Sequence, residues 1–169
     1  MPSSRLNVNE IYSKDNPSQQ WLRGQSDFPA GHLVQTVTKT VNGTTQSSSS
    51  QSFQEMTDYA TSFTPKFLDS KIVLTWSGNF YINADNGHGY FQYYRDSTAL
   101  GHSTEGNRLY QAGHDGKARW QSVSIVHVDT PNTTSAVTYK IYIKSSTGTF
   151  RIVYGANYYS IFTIQEIRS

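Results

Sequence analysis

The strongest constraint on the fold is a two-residue alternation in the stretch KIVLTWSGNFYI, at residues 71–82. Successive side chains of a β-strand point to opposite faces, so every second residue shares a face. One face of this stretch is mostly apolar and carries Ile72, Leu74, Trp76, Gly78, Phe80 and Ile82. The other face is mostly polar and carries Val73, Thr75, Ser77, Asn79 and Tyr81. The pattern predicts a strand with its first face in a core and its second face outside.

Strand-like blocks of this kind recur along the chain, mostly separated by clusters of Gly, Asn, Asp or Pro. The eight blocks are HLVQTVTKTV, FQEMTDYATSFTP, SKIVLTWSGNFYI, GYFQYYRDSTAL, ARWQSVSIVHV, AVTYKIYIKS, GTFRIVYG and YSIFTIQEI. No 3.6-residue apolar repeat reaches helical length, although QEMTDY (54–59) can form a short helical turn. NGTTQSSSSQS (42–52) opens with an Asn-Gly turn signal and predicts a flexible hairpin connection at the surface. We therefore expect an all-β, antiparallel two-sheet β-sandwich of jelly-roll type.

Composition supports this fold and excludes several functions. The 22 Ser, 18 Thr and 12 Tyr residues of this 169-residue chain are typical of pleated strands more than of helices. The net charge is +2 with no run of Lys or Arg, so we expect no nucleic-acid partner. The absence of cysteine excludes thiolate zinc ligands and thiol catalysis, and it fits folding in a reducing cytoplasm.

The first 31 residues differ from the rest because they are polar and contain Pro2, Pro17 and Pro29. They lack the apolar region of a signal peptide, and no segment of the chain approaches the roughly 20 apolar residues that span a bilayer. We divide the chain into an extended N-terminal arm, 1–31, and a β-sandwich, 32–169. Composition alone favours a disordered arm. We expect instead that a partner holds it, by strand pairing and burial of apolar side chains. The candidate residues are Leu6, Val8, Ile11, Tyr12 and Trp21.

The region 83–120 is rich in aromatic, histidine and carboxylate residues and predicts a glycan-binding surface. Aromatic rings stack on the apolar faces of sugars, while Asp, Asn and His form hydrogen bonds with the hydroxyls. The candidates are Asn86, His88, Tyr90, Tyr93, Tyr94, Tyr110, His114, Asp115 and Trp120. The alternative interpretation is that Phe91 and Tyr93 or Tyr94 fill the core or a subunit interface.

The same region carries no convincing catalytic or metal site. His88, His102 and His114 lack the close spacing of metal ligands. Asp85, Asp96, Glu105 and Asp115 include enough carboxylates for a glycosidase pair, but Asp in Gly-rich loops is typically a turn residue. No GxSxG nucleophile motif occurs. We expect no catalytic residue, no metal, no cofactor and no enzyme activity.

The stretch DTPNTTSAVTYKIYI, at 129–143, joins a polar loop to a regular strand. We expect Pro131 and Asn132 to turn the chain, while the Ser and Thr hydroxyls bond loop backbone groups. Tyr139, Ile141 and Ile143 then enter the core or a trimer seam, and Lys140 and Lys144 stay outside. We interpret this stretch as a structural corner and not as a reaction site.

Four stretches in order carry a family resemblance: PAGHLVQTVTKT (29–40), SFTPKFLDSKIVL (62–74), VSIVHVDTPNTTSAVTYKIYI (123–143) and IFTIQEI (161–167). Together they resemble a β-sandwich module of bacteriophage virion proteins, notably tail-fibre and other structural proteins of phages of marine bacteria and cyanobacteria. The resemblance covers residues 6–167, with a looser match at 84–118. It implies a jelly-roll-like, usually trimeric module that attaches through its N-terminal part, with no shared catalytic motif.

Together the residues and the resemblance predict a non-enzymatic virion structural protein, assembled in the host bacterial cytoplasm. The first hypothesis is a homotrimeric tail fibre or tip that docks on tail, baseplate or capsid proteins through 1–31 and presents its sandwich to a host surface glycan. The second is a capsid decoration or cement protein (a head fibre) that stabilises the shell. The third is a free carbohydrate-binding lectin.

Overall fold

The computed structural model describes residues 29–84, 87–102, 104–110, 120–153 and 158–169, with Tyr110 described by its backbone alone. Several predicted binding residues lie outside these ranges: Leu6, Val8, Ile11, Tyr12, Trp21, Asn86, His114 and Asp115. The described residues contain no helix with the length and apolar character needed to cross a membrane.

The regular secondary structure of the described chain is almost entirely β-strand, because its polar and apolar residues alternate in short runs. In chain order the strands are β1 (Leu33–Asn42), β2 (Gln46–Ser48), β3 (Gln54–Glu55), β4 (Thr61–Phe63), β5 (Lys71–Ile82), β6 (His88–Arg95), β7 (Thr98–Leu100), β8 (Asn107–Tyr110), β9 (Gln121–Asp129), β10 (Val137–Ser145), β11 (Phe150–Val153) and β12 (Tyr159–Ile167). A 3-10 turn, Thr57–Tyr59, separates β3 from β4 and confirms the helical turn predicted in QEMTDY.

The strands form two antiparallel sheets of six strands each. In the first sheet β1 pairs with β12, β12 with β5, and β5 with β9, while β11 pairs with both β5 and β2. In the second sheet β10 pairs with β3, β4 and β6, and β6 pairs with β7 and β8. The two sheets therefore match the predicted two-sheet sandwich.

Four of the long strands are interrupted, which hides a simple order. β11 and β12 pair with successive parts of β5. On their other edges β11 pairs with β2 and β12 pairs with β1. β3 and β4 pair with successive parts of β10, and β7 and β8 pair with successive parts of β6. We count each interrupted strand as one, so that β1 with β2 is strand 1, β3 with β4 is strand 2, β7 with β8 is strand 5 and β11 with β12 is strand 8. Strands 3, 4, 6 and 7 are then β5, β6, β9 and β10. The sheets have the strand orders 1-8-3-6 and 2-7-4-5. This is the strand order of a jelly roll, and the predicted fold class is confirmed.

The core lies between the sheets, where each strand turns its apolar parity inward. Ile72, Leu74, Trp76 and Ile82 of β5 are fully buried and Phe80 nearly so, as the alternation predicts. From the facing sheet, Tyr139, Ile141 and Ile143 are also fully buried within this one chain, so they belong to the core and not to a trimer seam.

Aromatic rings from both sheets meet in this core. The Trp76 ring lies 5.2 Å from that of Phe91, and the Tyr93 ring stacks on that of Phe162 at 5.8 Å. Tyr93 is 1% exposed and its hydroxyl donates to the carbonyl of Ile125 at 2.8 Å. Phe91 and Tyr93 therefore follow the core interpretation, and Tyr93 cannot contact a glycan.

One local prediction is wrong. The stretch predicted as a flexible hairpin connection contains β2, in which Gln46 and Ser48 are buried and Gln46 donates to Asp58 at 2.7 Å. Pairing with β11 orders this polar strand, although its composition suggests a loop. Tyr81 lies outside the core cluster, as its outward parity predicts, but it is only 7% exposed because the Trp120 ring packs on it at 5.3 Å.

The count of eight strands is right, but one assignment is wrong. GTFRIVYG and YSIFTIQEI supply two pieces, β11 and β12, of a single interrupted strand. The missing strand consists of β7 and β8, and β8 lies inside the region 83–120 that is predicted as a glycan-binding surface. Gly106, at a φ of +56°, allows the chain to approach β6 closely before β8 begins, because a Cβ there would lie 2.5 Å from the carbonyl oxygen of Phe91.

A buried carboxylate joins three of the four stretches that carry the family resemblance. Glu166 in β12 is fully buried, and its Oε1 accepts hydrogen bonds from the backbone amides of Lys66 and Phe67 at 2.8 and 3.1 Å and from Ser70 Oγ at 2.7 Å. Its Oε2 accepts from Gln35 Nε2 at 2.5 Å. These three stretches therefore share a structural contact, which joins β1 and β12 to the loop before β5.

The fourth stretch, 123–143, contributes to a second hydrogen-bond network around a buried carboxylate. Asp129, at the end of β9, accepts two hydrogen bonds from Arg95 Nη1 at 2.8 and 2.7 Å and one from the Tyr139 hydroxyl at 2.8 Å. In the loop that follows, the Ser135 amide donates to Thr133 Oγ1 at 3.0 Å and Asn132 has a φ of +51°, as expected for a turn closed by its own side chains. The interpretation of this stretch as a corner agrees with these contacts.

Candidate functional site

Aromatic side chains gather on the outer surface of the second sheet. Because Phe91 and Tyr93 point into the core, the alternate residues of β6, Tyr90 and Tyr94, point outward. On β10 the outward residue between them is Tyr142, whose ring lies 4.0 Å from that of Tyr94 at an interplanar angle of 31°. These rings are half-buried, so strands hold them in place while part of each ring meets solvent.

Charged residues surround these rings on the same surface. We call the whole set the tyrosine face, and its members are Phe53, Glu55, His88, Tyr90, Tyr94, Arg108, Lys140, Tyr142 and Lys144. They come from β3, β6, β8 and β10, apart from Phe53, which directly precedes β3. The face therefore joins residues that are up to 91 positions apart in the chain, from Phe53 to Lys144.

One part of the tyrosine face is a balanced pair of charges with a phenol. Glu55 Oε2 lies 3.1 Å from Lys140 Nζ and accepts a hydrogen bond from the Tyr142 hydroxyl at 2.7 Å. The Tyr142 hydrogen bond, with Lys140, holds the pKa of Glu55 below its ordinary value despite some desolvation. Burial, together with the Glu55 charge, raises the pKa of Tyr142 to about 12. Glu55 is thus a carboxylate and Tyr142 a neutral hydrogen-bond donor at neutral pH.

The other part of the tyrosine face is basic. Lys144 Nζ lies 4.8 Å from the centre of the Phe53 ring and 4.7 Å from that of Tyr90, and it donates to the Thr104 carbonyl at 2.6 Å. Across Tyr90, Arg108 donates from Nη2 to His88 Nε2 at 2.7 Å, because a guanidinium has no acceptor. Two cations therefore flank Tyr90 in fixed positions.

Only some of the residues predicted to bind glycan meet on this face. His88, Tyr90 and Tyr94 share one side of β6, and the Tyr110 backbone pairs opposite His88. Trp120 directly precedes β9 of the first sheet, and its ring contacts those of Tyr81 at 5.3 Å and Tyr158 at 5.0 Å. The structure therefore does not bring Trp120 to the tyrosine face.

Sequence reasoning missed Phe53, Glu55 and Arg108 as site residues and treated β10 as structural. The available signal was the outward parity of β10, which reads Thr138, Lys140, Tyr142 and Lys144. Only the pairing of β10 with β6 reveals that this parity continues the surface of Tyr90 and Tyr94.

The outer surface of the first sheet has a different chemistry. Between Lys71 at one end of β5 and Arg151 beside the other end, it consists of uncharged residues with many hydroxyls, and we call this uncharged part the hydroxyl face. Its members are Thr36, Thr38, Thr40, Val73, Thr75, Ser77, Asn79, Ser122, Ser124, Val126, Val128, Tyr159, Ile161, Thr163 and Gln165. Val126, Val128 and Tyr159 are 57%, 52% and 64% exposed, and a shallow groove of about 590 Å³ opens between Ser77, Ser122 and Tyr159.

Neither surface resembles a hydrolytic or metal centre. Among the residues that the structure describes, no three His, Asp or Glu side chains lie close enough to hold a metal ion. Asp96, one of the carboxylates considered for hydrolysis, has a φ of +53° and accepts the Thr138 amide at 2.8 Å, as a turn residue does. Asp85 and Asp115 lie outside the described residues.

Comparison with known proteins gives no family assignment. No family model matches the sequence, and no curated protein matches it. The solved structures that resemble the fold include VP2 of infectious bursal disease virus in a subviral particle, with 13% identity and a TM-score of 0.45 over 99% of this chain and 37% of that one. A structure of the Gt strain of that virus has 11% identity and a TM-score of 0.43 over 100% of this chain and 43% of that one. A structure of the Gx strain has 15% identity and a TM-score of 0.42 over 80% of this chain and 32% of that one.

This chain therefore spans less than half the length of these viral proteins. At such identities and TM-scores the likeness does not extend to function, since one fold serves many functions.

Proposed function

We propose that this protein is a non-enzymatic structural component of a phage virion, and that its sandwich binds a host surface glycan through the tyrosine face. The observation that carries the binding role is the group of half-buried rings of Tyr90, Tyr94 and Tyr142 on two paired strands. Rings held on rigid strands bind with little loss of side-chain freedom.

The chemistry of the tyrosine face suits a saccharide. Tyrosine rings stack on the apolar faces of sugars, while charged and polar groups beside them form hydrogen bonds with hydroxyls. Glu55, Lys140 and Tyr142 supply such groups beside the Tyr94 ring, within a network of 2.7–3.1 Å contacts. The first sheet also groups rings with a cation, since Arg151 lies over the Tyr81 ring at 5.6 Å and Trp120 packs on Tyr81, but Tyr81 is only 7% exposed there.

The virion role rests on the four stretches that resemble phage virion proteins. Residues of these stretches meet in the Glu166 and Asp129 networks, so the stretches that carry the resemblance also hold the jelly roll together. The jelly-roll strand order is compatible with this role but does not require it.

Self-association into a homotrimer fits the hydroxyl face. Three copies that turn this face toward a threefold axis bury Val126, Val128 and Ile161 without removing any charge from water. The tyrosine face of each copy then points away from the axis, because it lies on the opposite side of the sandwich. Such a trimer presents three binding faces outward, as a tail fibre or tip requires.

Attachment to tail, baseplate or capsid proteins is assigned to residues 1–31, with Leu6, Val8, Ile11, Tyr12 and Trp21 as contacts. Deletion of residues 1–25 leaves a folded sandwich that no longer joins the particle. Incorporation of the truncated chain at the normal level contradicts the anchor. Mass spectrometry of the purified virion against the major capsid protein separates a fibre in few copies from a decoration protein in many.

A glycan array with purified protein tests the binding role. Tyr94→Ala and Tyr142→Ala abolish binding, whereas Tyr159→Ala, an exposed tyrosine of the hydroxyl face, leaves it unchanged. Far-ultraviolet circular dichroism checks that all variants fold. A wild-type protein that binds no glycan, or a Tyr94→Ala protein that binds as well as the wild type, contradicts the proposal.

A further inference from the structure

We propose that the tyrosine face binds an acidic saccharide, whose carboxylate or sulfate group is held by Lys144 and Arg108. This inference rests on the proposed glycan function and specifies the class of glycan. It depends on how the charges of the face are distributed, which the sequence does not show.

The basic residues form one row across three strands. Lys144 of β10 lies opposite Tyr90 of β6, and Tyr90 lies opposite Arg108 of β8. Paired residues on neighbouring strands share a side of the sheet, and neighbouring strands lie about 4.8 Å apart. Lys144 and Arg108 are therefore placed on either side of one tyrosine ring, where a single acid group on a stacked sugar can reach one or both.

The charges of this row have no carboxylate partner among the residues that the structure describes. Lys140, two residues before Lys144, has Glu55 as its partner at 3.1 Å. Within the described parts of the chain, neither Lys144 nor Arg108 forms an ion pair with a carboxylate. The partners of Lys144 are two rings and a carbonyl, and that of Arg108 is His88. The face thus keeps two positive charges for an anion.

The geometry of both cations is fixed before a ligand arrives. Rings on two sides and the Thr104 carbonyl hold the Lys144 ammonium, and the hydrogen bond to His88 orients the Arg108 guanidinium, which retains further N–H donors. A guanidinium matches the two oxygens of a carboxylate or sulfate, and charge-assisted hydrogen bonds are about twice as strong as neutral ones. An acidic sugar therefore gains more from this row than a neutral sugar does.

The remainder of the face orients such a ligand. Tyr90 and Tyr94 lie four residues apart on β6, which corresponds to about 13 Å along a strand. Between them the outward residue Gln92 is fully buried and donates to the His102 carbonyl at 2.9 Å. An oligosaccharide that stacks near Tyr94 and Tyr142 therefore crosses over the chain at His102 to place its acid group at the basic row. The carboxylate of Glu55 lies at the Tyr142 end, so it repels an acid group there and favours one orientation.

The experiment uses a glycan array that carries both acidic and neutral saccharides, followed by chemical neutralisation of the best acidic ligand. Carboxyl reduction or desulfation of that ligand, as its acid requires, weakens binding about tenfold or more, as loss of a charge-assisted contact does. Lys144→Met and Arg108→Gln reduce binding of the acidic ligand to a similar degree. The control Lys71→Met, an exposed lysine of the first sheet, does not.

The possible failures are distinct. If the array shows neutral glycans alone and Lys144→Met binds them as the wild type does, the acidic class is wrong while glycan binding stands. If the array shows no glycan at all, the proposed function and this inference both fail. Binding of the acidic ligand that is equally weakened by Lys71→Met indicates general charge attraction and also contradicts the site.

Discussion

The two outer faces of the sandwich have the same backbone pattern and opposite chemistry. The hydroxyl face carries fifteen uncharged residues on β1, β5, β9 and β12. The tyrosine face carries Glu55, Arg108, Lys140 and Lys144 among aromatic rings. Both faces belong to strands whose other parity fills one core, so packing does not explain the difference. The difference between the two faces therefore lies in outward-facing residues that the core does not require.

The difference predicts what can cover each face. A face without charges loses little solvation when a protein surface covers it, and the exposed valines of β9 gain from burial. A face with unbalanced cations is costly to bury under protein and favours a hydrated, anionic ligand. Association with other copies and ligand binding are thus assigned to opposite sides of one molecule.

The largest loss of stability is expected for a residue that holds together the sandwich on which both faces lie. Glu166→Ala removes the acceptor of the partly buried Lys66 and Phe67 amides and of the fully buried Ser70 hydroxyl. A buried donor left unsatisfied costs about 1–3 kcal/mol and a partly buried one less, so the free energy of unfolding falls by about 2–4 kcal/mol in urea denaturation. Glu166→Gln keeps an amide oxygen at the same place and loses less.

The Glu166 result also tests whether the two faces are separable. Because one carboxylate ties β12 of the first sheet to the loop that leads into β5, loss of this tie weakens the whole sandwich and not one face. If the free energy of unfolding of Glu166→Ala lies within about 1 kcal/mol of that of the wild type, the Glu166 network does not hold the sandwich together.

The second prediction places charge on the uncharged face. Val126→Lys and Thr75→Lys leave the monomer folded, because both side chains point outward, but they disrupt a trimer built on the hydroxyl face. Light scattering then changes from three chains of 19.0 kDa to one. Thr98→Lys, at the exposed first residue of β7 in the other sheet, is the matched control and keeps the trimer. A wild-type protein that is monomeric at micromolar concentration contradicts the assignment.

The core parity of both sheets could be predicted from the sequence, because a period of two is a local signal. The buried residues of β5 and β10 follow directly from KIVLTWSGNFYI and TYKIYI. β2 and β8 could not be predicted with the same rule, since QSS and NRLY lack alternation and depend on pairing with β11 and β6. Burial of Tyr81 was missed for a similar reason, because its cover, Trp120, is distant in the chain.

The candidate site was predicted in part. His88, Tyr90 and Tyr94 share one strand, so their alternation was visible in the sequence. Lys144 and Arg108 join them only through strand register, which a single sequence does not reveal. The uncharged character of the hydroxyl face has the same origin, because it is the strand order that places four polar parities side by side.

A smaller effect is expected at alkaline pH on the tyrosine face. The pKa of Tyr142 rises to about 12 in the folded state, above the ordinary value of 10.0, so the folded state favours the neutral phenol. The resulting stability is fully present below pH 10 and is lost as the pH rises toward 12. Because the ring is partly exposed, we expect less than about 1 kcal/mol. Tyr142→Phe therefore loses less stability than the wild type between pH 9 and pH 12, as measured by urea denaturation; equal losses contradict the phenol–carboxylate contact.

The smallest effect concerns the coupling of Glu55 with Tyr142. The pKa of Glu55 lies below its ordinary 4.5, so the contribution of this carboxylate to stability is present above pH 4.5 and is lost as the pH falls through the lowered value. A double-mutant cycle with Glu55→Gln and Tyr142→Phe gives a coupling of up to about 1 kcal/mol at pH 7 that shrinks toward pH 3. A matched cycle on the hydroxyl face, with Ser77→Ala and Ser124→Ala across their 2.9 Å contact, is independent of pH in this range because neither group titrates. A pH-independent coupling at Glu55 would mean that the two faces do not differ in how their outward side chains are held.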